Sequence, residues 1–222
     1  MQFRKPELIP LLFMICAITL LTGLGVWQLE RLQWKNAQIE KIANAQQMPI
    51  LGTLPQDLDG LDYRRVALTG TYLHDKEMHM VGHPEGEGAG FYIVTPFQLE
   101  DDGRIIIVNR GFSPPNRESK PEGLQTLTGI IRPARQKRLF SPENQPAKNV
   151  WFYEDIDAMS QAAGTVLTPV IVEAVGIAQK DMYPMPHDGN VSLRNDHLNY
   201  AITWFSLALI GVVMFGFYQR KV

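Results

Sequence analysis

LIPLLFMICAITLLTGLGVWQL, residues 8–29, holds no Asp, Glu, Lys or Arg, and LNYAITWFSLALIGVVMFGFYQ, residues 198–219, is equally uncharged. Each run is 22 residues long. At about 1.5 Å of rise per residue a helix of that length reaches roughly 33 Å, enough for a hydrocarbon core of about 30 Å. No other stretch of the 222 residues comes close. Two readings compete for the first run. Arg4 and Lys5 precede it, as they would a signal peptide, but its apolar core outlasts an h-region and Leu24-Gly25-Val26-Trp27 offers no small-residue cleavage site. Cys16 follows Ile15 and is followed by more apolar residues, unlike a lipoprotein cysteine. The second run, closed by Arg220 and Lys221, reads as a span rather than a core helix.

Working outward, Arg4, Lys5, Arg220 and Lys221 flank the outer ends of both runs, which places both termini on the cytoplasmic side. Arg31, Lys35 and Lys41 at the inner end of the first run work against this, but two spans force both termini to one side. The expected location is a bacterial inner membrane with the middle segment periplasmic, or the mitochondrial inner-membrane equivalent. That segment, 30–197, carries 17 basic and 22 acidic residues, a net charge of −5, which argues against nucleic acid as a partner. The chain's one cysteine lies inside the first run, so no disulfide framework or thiolate metal site can be built within it.

Beyond residue 29 the apolar positions Leu29, Leu32, Ile39 and Ile42 keep a helical spacing and no Pro appears before Pro49, predicting one helix from about 8 to 46. From Tyr63 onward the pattern is that of strands: Val66–Tyr72, Lys76–His83, Phe91–Leu99, Arg104–Arg110, Leu124–Arg132 and Leu167–Val175. Asp102-Gly103 supplies a hairpin turn, Pro96 suggests an edge or a bulge, and Asn109-Arg110-Gly111 reads as a turn. Glu154–Ala163 reads as a short helix stopped by Gly164. The expected architecture is membrane α+β: transmembrane helices at 8–29 and 198–219 flanking a mainly antiparallel β domain, 47–194, with one or two short helices.

No nucleophile motif, metalloprotease motif, phosphate loop or dinucleotide fingerprint is present, so an enzyme is not expected. His79 and His83 on one strand would stand about 13 Å apart, too far to share a metal, and are expected as solvated loop histidines. Arg64, Arg65, Arg110 and Arg132 are expected to be solvated or paired with the excess carboxylates. His197 heads the second run, and on a helix His197, Tyr200 or Ala201, and Trp204 share a stripe. A neutral imidazole there suits an axial haem ligand; an interfacial or capping histidine is the alternative.

Several segments carry a family resemblance: Gly25–Lys35 (GVWQLERLQWK), Tyr63–Val66 leading to Gly70–Tyr72, Thr95–Phe97, Val108–Phe112, Trp151–Tyr153 and Asn195–Phe205 (NDHLNYAITWF). In this order, between two terminal apolar runs, the chain resembles the Surfeit locus family of cytochrome oxidase biogenesis factors along nearly its full length. The resemblance implies a non-catalytic assembly factor acting on cytochrome c oxidase subunit I, with haem a synthase as a further partner. It implies transient haem a binding through His197 as axial ligand, near Tyr200 and Trp204, with Arg31 and Arg194 to meet the propionates. Asp196 stands where the family often has Asn; its carboxylate is expected beside the ligand, as a holder of the imidazole tautomer. The rival from another class is a cofactor-free membrane scaffold that stabilises an oxidase intermediate. Gly23, Gly25, Ala201, Ala208 and Gly211 are expected at a close helix–helix contact.

Overall fold

The computed structural model describes residues 7–82, 88–177, 179, 182–191 and 193–220. The chain divides into two compact units, one formed by the N-terminal residues to Lys41 together with the C-terminal segment from 192, the other by residues 42–191. The first unit is helical. Helix α1 runs Leu8–Gln47, its last turns belonging to the second unit, and α3 runs His197–Tyr218. Both are long and apolar enough to cross a bilayer. Their apolar side chains are largely left outside: Leu8, Ile9 and Phe13 on α1, and Leu209, Met214 and Phe217 on α3, are all more than half exposed. A core helix of a water-soluble domain would bury that surface.

The second unit is built on a barrel-like sheet. Strands β1 (Arg65–Tyr72), β2 (Met78–Val81), β3 (Phe91–Leu99), β4 (Ile105–Ser113), β5 (Gln125–Arg132), β6 (Val150–Trp151) and β7 (Ile171–Ala174) pair in the order β1-β5-β7-β4-β3-β2-β6. A further β1–β3 pairing, Gly70 opposite Leu99, closes five of them into a ring and leaves β2 and β6 as an extension. The pairs are antiparallel except β4–β7 and β2–β6. Closure removes sheet edges and makes an inside and an outside. The Ile105–Val108 run accordingly serves two cores. Ile106 and Val108 join Val66, Leu68, Phe97, Leu127 and Val172 in one cluster. Ile107 points the other way, to Met80, Trp151, Met159 and Ile171. Helix α2 (Ile156–Ala163) supplies Met159 and Ala163 to that second cluster. Its start is capped by the Asp155 carboxylate, which accepts from Ala158 N–H at 3.0 Å, and Gly164 ends it in the left-handed region at φ 63°.

Three local expectations are corrected. Asn109-Arg110-Gly111 is not a turn: β4 continues through it to Ser113, and the Asn109 Oδ1 accepts the Gly111 N–H at 3.0 Å. Gly111 is required there because its φ is +109° and a Cβ would stand 1.7 Å from the Met185 carbonyl oxygen. Pro96 is neither at an edge nor in a bulge; it lies inside β3 where the neighbour changes from β2, which pairs Val94, to β1, which pairs Phe97. A residue without an N–H costs nothing at that gap, and the Pro96 carbonyl still accepts from Leu73 N–H. The strand expected over Lys76–His83 is cut short, because His74–Lys76 forms a 3-10 turn and the pairing begins at Met78; His83 lies outside the described residues.

Two buried ion pairs tie the second unit together. Glu154, 4% exposed, accepts from the two terminal guanidinium nitrogens of Arg132 and from the Arg135 N–H, pinning the end of β5 to the start of α2. Burial works against the Arg132 charge, but the hydrogen bond and charge of Glu154, with Glu173 beyond it, raise its pKa above the ordinary value. At Glu77 the carboxylate faces Arg110 at 3.3 Å and Lys120 at 3.8 Å. Arg110 also donates to the Ser119 carbonyl and lies over the Tyr72 ring. Burial tends to raise the Glu77 pKa, but the contact with His79 and the charges of Lys120 and Arg110 outweigh it and hold the carboxyl below its ordinary value.

Glu154→Gln keeps the shape and removes the charge, leaving buried Arg132 with only Glu173, 3.9 Å from its Nε, as a counter-ion. It is expected to cost about 3 kcal/mol, read from chemical denaturation of the purified chain; a loss under about 1 kcal/mol would show the pair to be incidental. Glu77 is a lowered carboxyl, so its stabilisation is present above the unfolded value of about 4.3 and disappears as pH falls through the folded one. Glu77→Gln is therefore expected to destabilise the chain at neutral pH, with the gap to wild type closing as the pH falls below the ordinary carboxyl range. An equal gap at every pH would contradict this.

Candidate functional site

His197 is the first residue of α3, preceded by Asp196, which has no side-chain bond to the helix start. Its Nδ1 lies 2.7 Å from the Oε1 of Gln28 on α1. Gln28 is 9% exposed, a buried amide within an otherwise uncharged run. An amide oxygen only accepts, so with this amide orientation Nδ1 carries the ring proton and Nε2 keeps a lone pair. Among the described residues Nε2 makes no hydrogen bond. Two turns further along α1, Asn36 Oδ1 accepts from the Asn195 amide at 2.8 Å. Two polar contacts eight residues apart on α1 thus hold Asn195 and His197, on either side of Asp196, against it.

Packing explains why these amides meet. On α3 the positions His197, Ala201, Trp204, Phe205, Ala208 and Gly211 are buried or half-buried at helical spacing, forming one stripe. On α1 the corresponding point is Gly25, one turn before Gln28. A Cβ there would stand 2.7 Å from the Phe205 ring, so the missing side chain is what admits the aromatic. Met14 sits against Gly211 further along. Gly23, expected at this contact, has nothing near its Cβ position.

The remaining site candidates fall in different surroundings. Trp204 is half-buried and its indole N–H is buried without a hydrogen-bond partner. Tyr200 lies off the stripe and is 54% exposed. Arg31, one turn beyond Gln28, is stacked over the Trp34 ring at 3.9 Å. Arg194 is highly exposed and its Nε donates to the Asp196 carboxylate, so that carboxylate is engaged by Arg194 and the bond to the His197 ring comes from Gln28 instead. The structure therefore brings His197 and Trp204 onto one buried stripe and leaves Tyr200, Arg31 and Arg194 outward.

Sequence reasoning passed over Gln28, Asn36 and Asn195 as site residues. The available signal was chemical: an amide placed inside an uncharged apolar run needs a partner, because an unpaired buried amide is costly.

In the second unit, ligand atoms of Glu77, His79 and Glu118 all lie within 4.8 Å of one another. Glu77 is already matched by Arg110 and Lys120, so this group is an ion-pair hub before it is a metal centre. His79 is not a solvated loop residue as expected; it lies in β2 with its ring stacked on Phe91 at 5.2 Å.

Comparison with known proteins bears on the whole chain. A model described as "SURF1 family" matches residues 15–209. A "SURF1-like protein" of Monosiga brevicollis is 36% identical over an alignment covering 90% of this chain and 83% of that protein. "Surfeit locus protein 1" of Rattus norvegicus is 34% identical, covering 83% of this chain and 67% of its own, and that of Homo sapiens is 33% identical over 84% and 69%. With two apolar terminal helices, a barrel-like β unit between them and a family match over most of its length, the chain belongs to the SURF1 family.

Proposed function

We propose that this chain is a membrane-inserted assembly factor for a haem-copper cytochrome c oxidase, and that it holds haem a through His197 on behalf of subunit I. Assembly-factor function follows from family membership and from the resemblance of GVWQLERLQWK and NDHLNYAITWF to that family's segments. Membrane insertion is supported by the exposed apolar faces of α1 and α3, whose length suits a bilayer. With the termini cytoplasmic, the residues between the spans face the periplasm or intermembrane space.

The observation that carries the cofactor reading is the His197–Gln28 contact. A haem supplies an iron that accepts a nitrogen lone pair and propionates that carry negative charge. The residues present fit such a group. Gln28 occupies Nδ1 and leaves Nε2 as the donor, which is how ligating imidazoles are usually oriented. Trp204 adds an aromatic and an unpartnered N–H on the same stripe. Arg31 and Arg194, each within about one turn of that contact along its own segment, offer guanidinium groups for carboxylates. Tyr200 presents an exposed ring from the first turn of α3.

A cofactor-free scaffold is favoured by a different feature. Leu139 and Phe140, 89% and 92% exposed, occupy the tip of a turn closed by the Ser141 N–H on the Arg138 carbonyl, and such an apolar tip suits a protein partner. The two readings separate on purification from cells that make haem a. Wild type is expected to carry haem a and His197→Ala to carry roughly tenfold less or lower still, with the β unit unchanged in its amide spectrum. Equal haem in both would remove His197 as ligand, and haem-free co-purification with subunit I would select the scaffold.

A further inference from the structure

We infer that Gln28 is the positioning residue for His197: its carbonyl, presented from α1, holds the α3 imidazole as the Nδ1–H tautomer and leaves Nε2 as the basic nitrogen. This rests on the haem-binding reading for its purpose, but the tautomer is a property of the chain alone. An unconstrained histidine favours the other tautomer, with the proton on Nε2, and that form cannot donate Nε2 to a metal. The protein therefore has to select the minor form, and a fixed acceptor opposite Nδ1 does so.

Four features make Gln28 such an acceptor. It is 2.7 Å from Nδ1, within ordinary hydrogen-bond distance. It is 9% exposed, so water does not compete for its carbonyl and its own rotamers are restricted. Gly25, one turn earlier, lets the Phe205 ring close onto α1, fixing the distance between the helices just before the amide. The Asn36–Asn195 bond fixes the first turn of α3 just beyond it. Gln28 is thus clamped on both sides along α1, and a side chain with three rotatable bonds becomes a fixed one. Basicity at Nε2 becomes conditional on the α1–α3 contact: a chain in which that contact opens loses the donor without any change at His197 itself.

The test uses the full chain, free of haem, in nanodiscs with histidine ring nitrogens labelled with ¹⁵N, the His197 signals being identified by their absence in His197→Ala. Wild type is expected to show Nδ1 protonated and Nε2 bare. Gln28→Leu is expected to move the proton to Nε2, and Gln28→Glu, which keeps an acceptor oxygen, to restore Nδ1–H. The Glu variant guards against misfolding, since loss of the helix contact would abolish both signals together. An Nε2–H ring in wild type, as the reversed amide orientation would give, overturns the inference, as does an unchanged Nδ1–H in Gln28→Leu. With haem a supplied, Gln28→Leu is expected to bind about 10–100-fold more weakly and Gln28→Glu to recover. Wild type that is Nδ1–H yet takes up no haem a would leave the tautomer assignment standing and remove the haem reading. Haem uptake by an Nε2–H wild type would do the reverse.

Discussion

An amide buried in an apolar helix has to find a partner, and here it finds a histidine. The Gln28–His197 hydrogen bond is the interaction on which the helical unit turns. Without it, α1 would bury an unsatisfied carbonyl and α3 would begin with a ring free to take either tautomer. The surrounding choices of residue serve that contact: a glycine where the Phe205 ring closes in, alanines along the α3 stripe, and a second amide pair at Asn36 and Asn195. Small residues bring the backbones near, and the polar side chains then fix rotation and register.

The second unit solves a different problem by different means. A short sheet leaves exposed edges, and the Gly70–Leu99 pairing of β1 with β3 removes that of β1 by closing five strands into a ring. Closing the ring makes one face of β4 internal and the cluster of α2 and Trp151 covers the other, so the Ile105–Val108 run is apolar throughout rather than alternating. Buried Arg132–Glu154 and Arg110–Glu77 pairs then hold connecting segments to strand ends. The unit's charge excess is acidic, and the carboxylates closest to its core are those already matched by arginine.

Much of this was legible in the residues. The uncharged runs announced both long helices, and β3 and β5 follow the apolar patterns of Phe91–Leu99 and Leu124–Arg132 closely. Barrel closure was not legible, because β1 meets β3 through a register that no local pattern encodes. The Asn109-Arg110-Gly111 segment misled because its residues are those of a turn. Its glycine answers instead to the Met185 carbonyl, a contact with a segment more than seventy residues away. At the candidate site His197 stood out by type and position, while Gln28 did not. Its role depends on a partner 169 residues distant, which spacing along one helix cannot reveal. Asp196 drew attention as the neighbour of the proposed ligand, yet its carboxylate is engaged by Arg194.

Family membership and the local chemistry support one central proposal, that the first turn of α3 serves as a haem ligand site prepared by α1. The most direct test is titration of the purified, haem-free chain in nanodiscs with haem a, followed by near-infrared magnetic circular dichroism, which reports the nitrogen ligands of ferric haem. The account predicts saturable uptake with an imidazole-ligated iron signature that is absent from His197→Ala. Uptake without saturation, or the same signature in both proteins, would contradict it.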